Sequence, residues 1–371
     1  MVTFGNAYQG KRVLITGHTG FKGSWLTVWL LRLGAQVAGY ALAPPTDPSL
    51  FDSCRLEERI ENVQADVRDR ERLRAAVAAW RPEFIFHLAA QPLVRDSYTM
   101  PVETYEVNVM GTINLLEAIR LERHSCSVVI VSTDKCYQNR EWEYGYREID
   151  PLGGHDPYSA SKAAMEIAVA SYRMSFFTSQ QAQSRRVGVA TVRAGNVIGG
   201  GDWSTDRIVP DAIRALLKGD SVVVRNADAV RPWQHVLEPL AGYLWLGTRL
   251  AAEEGEVAGA WNFGPLESDT YRVADLAQAV VAAWGSGAWR TQEMDDSRHE
   301  AGRLKLCIDK AQTFLGWQPV WDFGASVSRT VHWYQNTEEQ QTVPEAAYNA
   351  CVEDIERYES AARTKGVRWA Q

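Results

Sequence analysis

Residues 11–23 read KRVLITGHTGFKG, and this stretch decides the fold that the sequence predicts. A short apolar run ends in three closely spaced glycines, and an amphipathic segment, residues 25–33, follows at once. Bare backbone at the start of a helix lets a pyrophosphate approach the N–H groups and the positive end of the helix dipole. The stretch therefore predicts the first strand-turn-helix unit of a dinucleotide-binding sheet. Its predicted cofactor-binding residues are Gly17, Thr19, Gly20, Phe21, Lys22 and Gly23.

Apolar runs and amphipathic segments alternate through the next 170 or so residues, the rhythm of a parallel sheet covered by helices. Further strands are predicted at residues 36–40, 60–67, 84–91, 128–135 and 187–193, and helices at residues 70–80 and 104–120. The β-branched run at residues 128–131 suits a strand that is buried on both faces. The sequence predicts an α/β fold, namely a Rossmann-type doubly wound parallel sheet with a smaller mixed α/β substrate-binding domain.

A chain of 371 residues is too long for one typical core, so two domains are expected. Residues 1–196 are assigned to the dinucleotide-binding domain, with a return to it over roughly residues 228–265. Residues 197–340 mainly form the substrate-binding domain, and residues 341–371 form a polar tail with a helical pattern.

Composition excludes several other classes of protein. The formal net charge of −7 argues against nucleic-acid binding. No apolar run is long enough for a transmembrane helix, and the N-terminus has no signal-peptide pattern. The five cysteines are widely spaced and odd in number, which favours reduced thiols in a cytoplasmic protein over disulfides or a metal site.

Side chains at the carboxyl ends of the predicted strands are candidates for the cofactor cleft. Asp66 is expected to accept a hydrogen bond from the adenine amino group while Val67 packs on the ring. The acidic residue that usually binds the ribose is missing from residues 40–43, so this motif leaves NAD and NADP both open. The other cofactor contacts predicted along the cleft are Leu88, Ala89, Ala90 and Asn108.

Tyr158 and Lys162 are the strongest catalytic candidates. Asp156 and Pro157 indicate a helix start, which puts Tyr158 and Lys162 one turn apart on the same helical face. A phenol normally ionises near pH ~10, and a neighbouring ammonium favours the phenolate, so Tyr158 is a candidate general base. The alternative is an ordinary solvated pair on an amphipathic helix. The glycine turn and the strand tips make the catalytic interpretation the stronger one.

Polar residues end the predicted strand over 128–135, and their tip is expected to point into the same cleft. They are Thr133, Asp134 and Lys135, for which the alternative is a surface turn. His87, at the end of another strand, is interpreted as a packed histidine and not as a catalyst.

These features together resemble the extended short-chain dehydrogenase/reductase family over roughly residues 10–320. The motifs that carry the resemblance are Thr16-Gly17-x-x-Gly20-Phe21-x-Gly23, Asp66, His87-Leu88-Ala89-Ala90, Asn108, Ser132-Thr133 and Tyr158-x-x-x-Lys162. Residues 18–23, 134–137, 139–142, 193–203 and 231–239 are similar to the nucleotide-sugar 4,6-dehydratases within that family. Relatives that act on deoxythymidine- or GDP-linked sugars usually carry Glu where Lys135 stands, which points to the cytidine-linked branch and leaves the C5 base open.

The resemblance implies NAD as cofactor, a nucleotide-linked hexose as substrate and a role in deoxysugar biosynthesis. Tyr158 would take the proton of the C4 hydroxyl while C4 gives hydride to NAD, with Lys162 holding the phenolate and the nicotinamide ribose. Thr133 would aim the C4 oxygen. Asp134 would protonate the departing C6 hydroxyl, and Lys135 would act as the C5 base or as a stabiliser of the enolate. Return of the hydride to C6 gives a 4-keto-6-deoxy sugar.

Substrate contacts are predicted mainly in the second half of the chain. Arg231 is the preferred pyrophosphate ligand, since a guanidinium donates two bonds at once, and a surface salt bridge is its alternative. The predicted substrate-binding residues are Gln91, Arg95, Asn196, Arg207, Arg231, His299, Arg303 and Lys305. A homodimer or homotetramer is expected, with two helices of the cofactor domain pairing in a four-helix interface, as in the family.

Two other functions remain open on the sequence. A 4-epimerase or reductase on the same scaffold would need Tyr158 but not the pair at Asp134 and Lys135. A non-catalytic NAD-binding regulator would not need the intact Thr133, Tyr158 and Lys162.

Overall fold

The structure is a computed structural model that describes residues 3–178, 186–252, 257–267, 269–292, 304–340, 343 and 345–371. Its strands are β1 (Arg12–Thr16), β2 (Gln36–Ala41), β3 (Glu61–Gln64), β4 (Phe84–His87), β5 (Cys126–Val131), β6 (Val187–Ala194), β7 (Val197–Ile198), β8 (Val222–Val224), β9 (Val230–Arg231), β10 (Gln234–His235), β11 (Ala260–Phe263), β12 (Tyr271–Arg272) and β13 (Trp289–Thr291). Its α-helices are α1 (Phe21–Arg32), α2 (Leu50–Ser53), α3 (Arg70–Trp80), α4 (Val94–Thr99), α5 (Pro101–Tyr105), α6 (Gly111–Glu122), α7 (Pro157–Phe176), α8 (Ile208–Leu217), α9 (Leu237–Ala251), α10 (Val273–Trp284), α11 (Phe323–Glu339) and α12 (Ala346–Thr364).

Seven of these strands form one parallel sheet in the order β11-β6-β5-β4-β1-β2-β3. Successive side chains of a strand point to opposite faces. In β1, accordingly, Val13 and Ile15 are buried in one core cluster and Leu14 in the other. Both faces are therefore covered, and the predicted doubly wound α/β fold is confirmed.

Each face of the sheet has its own helices. Trp25 and Trp29 of α1 lie with Leu240 and Leu244 of α9 in the larger cluster. On the opposite face α3, α6 and α7 contribute to the second cluster, for instance through Met165. The carboxyl ends of the strands thus open between α7 on one side and α1 with α9 on the other.

Short strand pairs lie beyond the carboxyl edge of the sheet. The pairs β7 with β10 and β8 with β13 are parallel, and the pair β9 with β12 is antiparallel. In the segment over residues 228–265, β11 pairs with β6 at the edge of the central sheet.

The C-terminal helix α12 packs on α1. The indole Nε1 of Trp29 donates to Glu359 Oε1 at 3.0 Å. Beyond α12, the ring of Trp369 stacks on Phe4 with centroids 4.9 Å apart. The tail is thereby fixed to the helix that follows the glycine turn. Within the described residues, no helix is both long and apolar enough to cross a bilayer.

Four predicted elements have clearly different bounds in the structure. The strands predicted at residues 60–67, 84–91 and 128–135 end at Gln64, His87 and Val131. Just after β4, Leu88 N still donates to Thr16 O of the neighbouring β1 at 2.9 Å. The helix predicted at residues 104–120 is instead α5, a π-helical turn at Glu106–Met110 and α6.

Candidate active site

The glycine turn packs so closely that no residue with a side chain fits at two of its glycines. Gly17 has a φ of +76°, and a Cβ there would lie 2.6 Å from Ala89 N. A Cβ on Gly23 would lie 2.2 Å from Gly17 O. Such backbone conformations and approaches suit glycine alone. The turn therefore leaves backbone, and not side chains, at the start of α1. Thr19 donates its hydroxyl to Leu42 O at 3.0 Å, which fastens the turn to the end of β2.

Asn108 connects the cleft to α7. It lies in the π-helical turn, a feature that is frequent at functional sites. Its side-chain nitrogen donates to Ser161 Oγ at 2.9 Å, and its side-chain oxygen accepts from Gln91 N at 2.9 Å. Asn108 is thus buried between the loop of Gln91 and α7.

The start of α7 is fixed by its cap. Asp156 accepts hydrogen bonds from the backbone N and the hydroxyl of Ser159, at 2.9 and 2.6 Å, and Pro157 occupies the first helical position. Tyr158 and Lys162 are both buried on the face of α7 that turns toward the sheet. The Nζ of Lys162 donates to Val131 O, at the end of β5, at 3.0 Å.

The electrostatic environment of this pair differs from the prediction. Burial raises the pKa of Tyr158 to about 12, opposed by a hydrogen bond with Thr133. Burial lowers the pKa of Lys162 to about 8, opposed by the charge of Glu166 one turn along α7. The predicted lowering of the Tyr158 pKa is therefore wrong for this structure, because desolvation outweighs the hydrogen bond of Thr133 and the charge of Arg207, which lower it.

Just after β5, Asp134 places its carboxyl group in the same cleft. Thr133 donates its hydroxyl to Asp134 Oδ1 at 3.1 Å. Burial raises the pKa of Asp134, against the charges of Lys135, Arg231 and Lys22. A raised pKa is what a general acid requires. Lys135 is half-buried beside it.

Lys22 extends from the glycine turn into this cluster. Its Nζ lies 5.8 Å from the ring centroid of Tyr243 on α9. Burial lowers the pKa of Lys22 to about 8, the positive charges of Arg207 and Lys162 lower it further, and Asp134 opposes them. The ammonium therefore faces the catalytic candidates.

The predicted adenine contacts lie at the other end of the sheet. Val67 is buried, and its Cγ2 would lie 2.7 Å from a Cβ on Gly111. The carboxylate of Asp66 accepts three hydrogen bonds from Arg68, two from the guanidinium and one from the backbone N. Arg68 lowers the pKa of that carboxyl, which is therefore an anion in the folded protein.

Three predicted substrate arginines come from three separate segments. Arg207 Nη1 lies 3.0 Å from Asp202 Oδ2. Arg95 Nη1 lies 3.7 Å from Asp206 Oδ1. The charge of Arg231 reaches Asp134, and that of Arg207 reaches Tyr158. Arg207 and Arg231 are thus brought to the catalytic cluster.

For the other predicted substrate residues that the structure describes, the contacts are with other residues of the chain. Gln91 uses its side chain within its own loop, with Leu93 and Thr104 as partners. Asn196 accepts a backbone bond from Gln234 at 3.2 Å. Lys305 is half-buried, and its carbonyl accepts from Tyr146 N at 2.9 Å. His299 and Arg303 lie outside the described residues.

His87 is packed, as predicted. Its Nδ1 is 2.7 Å from Thr16 Oγ1 and its Nε2 is 3.0 Å from Thr112 Oγ1. Burial lowers its pKa to about 3, with a contribution from Lys162, so the ring is neutral at physiological pH. A neutral, fully bonded ring belongs to the scaffold.

The sequence analysis did not predict two features near the site, namely the pairing of Glu166 with Arg193 and the position of Tyr243. Glu166 and Arg193 form a buried ion pair behind the catalytic residues. Tyr243 lies on α9 within a run of apolar residues. Glu166 carried a detectable signal, since it lies four residues after Lys162 on the same helical face. Tyr243 had none, because its place depends on how α9 packs below the sheet.

The parallel sheet, the glycine turn and the helix with Tyr158 and Lys162 define a short-chain dehydrogenase/reductase fold. The profile of the GDP-mannose 4,6 dehydratase family matches residues 14–330, and the chain belongs to that family.

Among characterised relatives, the CDP-glucose 4,6-dehydratase of Salmonella typhimurium is 48% identical over 330 residues, which cover 89% of this chain and 92% of that enzyme. The solved dTDP-glucose 4,6-dehydratase of Streptomyces venezuelae, with NAD bound, has a TM-score of 0.74 at 24% identity and covers 89% of this chain and 99% of its own. A Thermus thermophilus UDP-glucose 4-epimerase in complex with NAD has a TM-score of 0.73 at 26% identity, with coverage of 87% and 99%.

Proposed function

We propose that this protein catalyses the 4,6-dehydration of CDP-glucose, giving CDP-4-keto-6-deoxy-D-glucose and water. The observation that carries the proposal is the cluster of Tyr158, Asp134 and Lys162, three buried ionisable groups in one cleft. The high identity to the Salmonella enzyme over most of both chains supports the choice of the cytidine-linked sugar.

NAD is the cofactor that this reaction requires, and the site fits it. The bare backbone at Gly17 and Gly23 suits a pyrophosphate at the start of α1. Val67 suits the adenine ring, and Lys162 suits the nicotinamide ribose. When bound, NAD accepts hydride from C4 of the sugar and returns it to C6.

Tyr158 is the proton acceptor for the C4 hydroxyl. Only the phenolate can accept this proton, and a pKa of about 12 keeps the phenolate fraction small unless positive charge lies beside it. Lys162 and Arg207 are the cations on this side of the cleft, and Thr133 fixes the phenol by a hydrogen bond. As the phenolate, the Tyr158 oxygen therefore takes the C4 hydroxyl proton and becomes the neutral phenol.

Asp134 is the acid for the C6 hydroxyl. A ketone at C4 acidifies the C5 hydrogen, so loss of water needs a base at C5 and an acid at C6. Burial gives Asp134 the raised pKa that lets it deliver a proton. Lys135, next to it, is the base at C5 or the cation that stabilises the enolate.

The diphosphate is bound by two arginines outside the central sheet, Arg207 at the start of α8 and Arg231 on β9. Arg207 lowers the pKa of Tyr158 and Arg231 lowers that of Asp134, and a guanidinium matches a phosphate with two parallel bonds. These two residues would place the hexose over Tyr158 and Asp134.

Incubation of the purified protein with CDP-, dTDP-, GDP- and UDP-glucose tests the proposal. The expected result is a product with the strong alkaline absorbance of a 4-keto-6-deoxy sugar from CDP-glucose in preference to the other three. A 4-epimerase would instead give the C4 epimer without loss of water. Equal turnover of all four sugars, or no turnover of CDP-glucose, would exclude the proposed substrate.

We also propose that the protein assembles as a homodimer through α7 and the segment that precedes α6. Ile167 and Met174 lie seven residues apart on α7 and are 61% and 66% exposed. Val102 on α5 is 71% exposed. Seven residues are nearly two helical turns, so Ile167 and Met174 form one apolar stripe that a second copy can cover.

A further inference from the structure

Gly195 lies where two segments of the candidate site meet. It is half-buried and stands between β6 and β7. Its φ is not in the left-handed region, so its backbone conformation suits a residue with a side chain. The space around it does not, because a Cβ on Gly195 would lie 2.9 Å from Pro232 Cγ and 3.0 Å from Asp134 Oδ2. Close contact, and not backbone conformation, therefore calls for a glycine here.

The oxygen at this contact is the one that can carry the catalytic proton. Asp134 Oδ1 accepts a hydrogen bond from the hydroxyl of Thr133 at 3.1 Å. Within the described ranges of the chain, Oδ2 accepts no hydrogen bond. Oδ2 is therefore the oxygen available to protonate the C6 hydroxyl, and it lies against the backbone of Gly195.

The backbone on both sides of Asp134 is fixed by hydrogen bonds. Lys135 N donates to Thr133 Oγ1 at 3.3 Å, which closes the turn around Asp134. One residue further along, Gly153 N donates to Cys136 O at 2.9 Å. Because these bonds hold the main chain in place, a crowded carboxyl group at Asp134 has to rotate about its own side-chain bonds.

The other neighbour of Gly195 is held more firmly. Pro232 is buried, and its closed ring cannot rotate away as the end of a side chain can. β10, which begins two residues later, pairs with β7, and Gln234 N donates to Asn196 O at 3.2 Å. The segment of Pro232 is thus joined to the backbone that carries Gly195. A methyl group added at Gly195 should therefore displace the carboxyl group and not the proline.

Resting on the proposed role of Asp134 as the acid, we propose that Gly195 is a positioning residue for the dehydration step. Its backbone limits the rotation of the Asp134 carboxyl group and so sets the direction in which Oδ2 delivers its proton. Because Pro232 follows Arg231, the same contact fixes the acid relative to the proposed diphosphate ligand. A side chain at Gly195 disturbs protonation at C6 and leaves removal of hydride from C4 intact.

The test compares Gly195→Ala with the parent. Misplacement of a reacting group by about 1 Å can cost about a hundred-fold in rate, so formation of the 4-keto-6-deoxy product from CDP-glucose should fall by roughly ten- to a hundred-fold. Reduced cofactor should form as fast as in the parent, and the calorimetric Kd for CDP should be parental. Gly264→Ala is the matched control and should keep parental turnover, since a Cβ there would meet Ile308 Cγ2 at 3.7 Å, an ordinary contact.

A double-mutant cycle shows whether Gly195 acts through the acid. Asp134→Asn has no acid to misplace, so addition of Gly195→Ala to that variant should lower product formation no further. Additive losses in the double variant would overturn the inference, because the alanine would then act on something other than Asp134.

Parental product formation in Gly195→Ala would also overturn the inference. So would loss of C4 oxidation or of the thermal unfolding transition in this variant, because the glycine would then serve the fold of the whole site. A weaker Kd for CDP with dehydration unchanged would assign the glycine to the diphosphate segment instead and overturn it as well. Failure of the parent to dehydrate CDP-glucose would refute the proposed function, so the two failures are distinguishable.

Discussion

Glu166 and Arg193 form a bidentate ion pair in which both side chains are only 3% exposed, with Nε–Oε1 and Nη2–Oε2 distances of 2.8 and 2.9 Å. Thr191 also donates to Glu166, at 2.7 Å, and Arg193 donates to the hydroxyl of Tyr137 at 2.8 Å. Burial alone would raise the pKa of Glu166, but its bonds to Arg193 outweigh burial and keep that pKa below the usual value. The pair joins α7, which carries Lys162, to β6, and the bond from Arg193 to Tyr137 extends this connection to the segment that follows Asp134.

Breaking this pair should lower the free energy of unfolding strongly, whereas removing both charges should lower it less. Glu166→Gln or Arg193→Met leaves one buried charge alone, and each should lower the free energy of unfolding by about 3–5 kcal/mol. The double variant should lose less than the sum of the two, measured by denaturant titration. Purely additive losses would show that the two side chains do not stabilise each other in solution.

The same double variant should shift the pH dependence of turnover. Burial lowers the pKa of Lys162, while Glu166 and the buried thiol of Cys136 raise it. Without the negative charge, Lys162 should lose its proton at lower pH. The alkaline limb of the kcat profile should therefore move down by roughly one pH unit. A limb that stays in place would mean that it reports another group.

Asp134→Asn should block dehydration but not oxidation at C4. The amide cannot deliver the proton that the C6 hydroxyl needs, so formation of the 4-keto-6-deoxy product should fall by roughly 10²–10⁴-fold. Reduced cofactor should still form on addition of CDP-glucose, followed by its absorbance. Asp211→Asn, which removes an equal charge from α8, is the control and should keep parental turnover. Product formation at the parent rate in Asp134→Asn would refute the acid assignment.

Arg231→Gln should weaken binding of the diphosphate. Loss of charged hydrogen bonds predicts a Kd for CDP that is roughly ten- to a hundred-fold higher, with cytidine unaffected. Arg272→Gln is the matched control, since Arg272 lies on β12, paired with β9, and is bound to Asp275 at 3.1 Å. Equal weakening by both variants would point to net charge and not to a specific ligand.

His87 should make the fold sensitive to acid. Its folded pKa of about 3 lies below the ordinary value of 6.5, so unfolding binds a proton. The stability that depends on the neutral ring is complete above pH 6.5 and is lost as the pH falls from there toward 3. Between pH 4 and 5.5, therefore, the free energy of unfolding of the parent should rise by about 1.4 kcal/mol per pH unit more than that of His87→Gln. Parallel curves in denaturant titrations would contradict the buried neutral ring.

Local patterns were enough to predict the fold and the order of its strands, but not where several strands end, because glycine spacing and apolar periodicity follow from backbone sterics and burial. For this reason the starts of α1 and α7 could be predicted. Gly17 marks the turn before α1, and Asp156 with Pro157 marks the start of α7. The pKa of Tyr158 could not be predicted, since it depends on how completely neighbouring elements exclude water. The position of Tyr243 could not be predicted either, because only tertiary packing brings α9 to the glycine turn.

Met174→Glu should break the proposed dimer. The residue is 66% exposed on α7, in line with Ile167, and a charge there is unfavourable only if a second copy covers it. Light scattering across a range of concentrations should give a dimer for the parent and a monomer for the variant, with parental thermal stability of the monomer as the sign of an intact fold. Leu217→Glu, at an exposed apolar position on α8, should remain dimeric. A dimeric Met174→Glu would place the interface elsewhere, since burial of an unpaired carboxylate between two apolar stripes would not be tolerated.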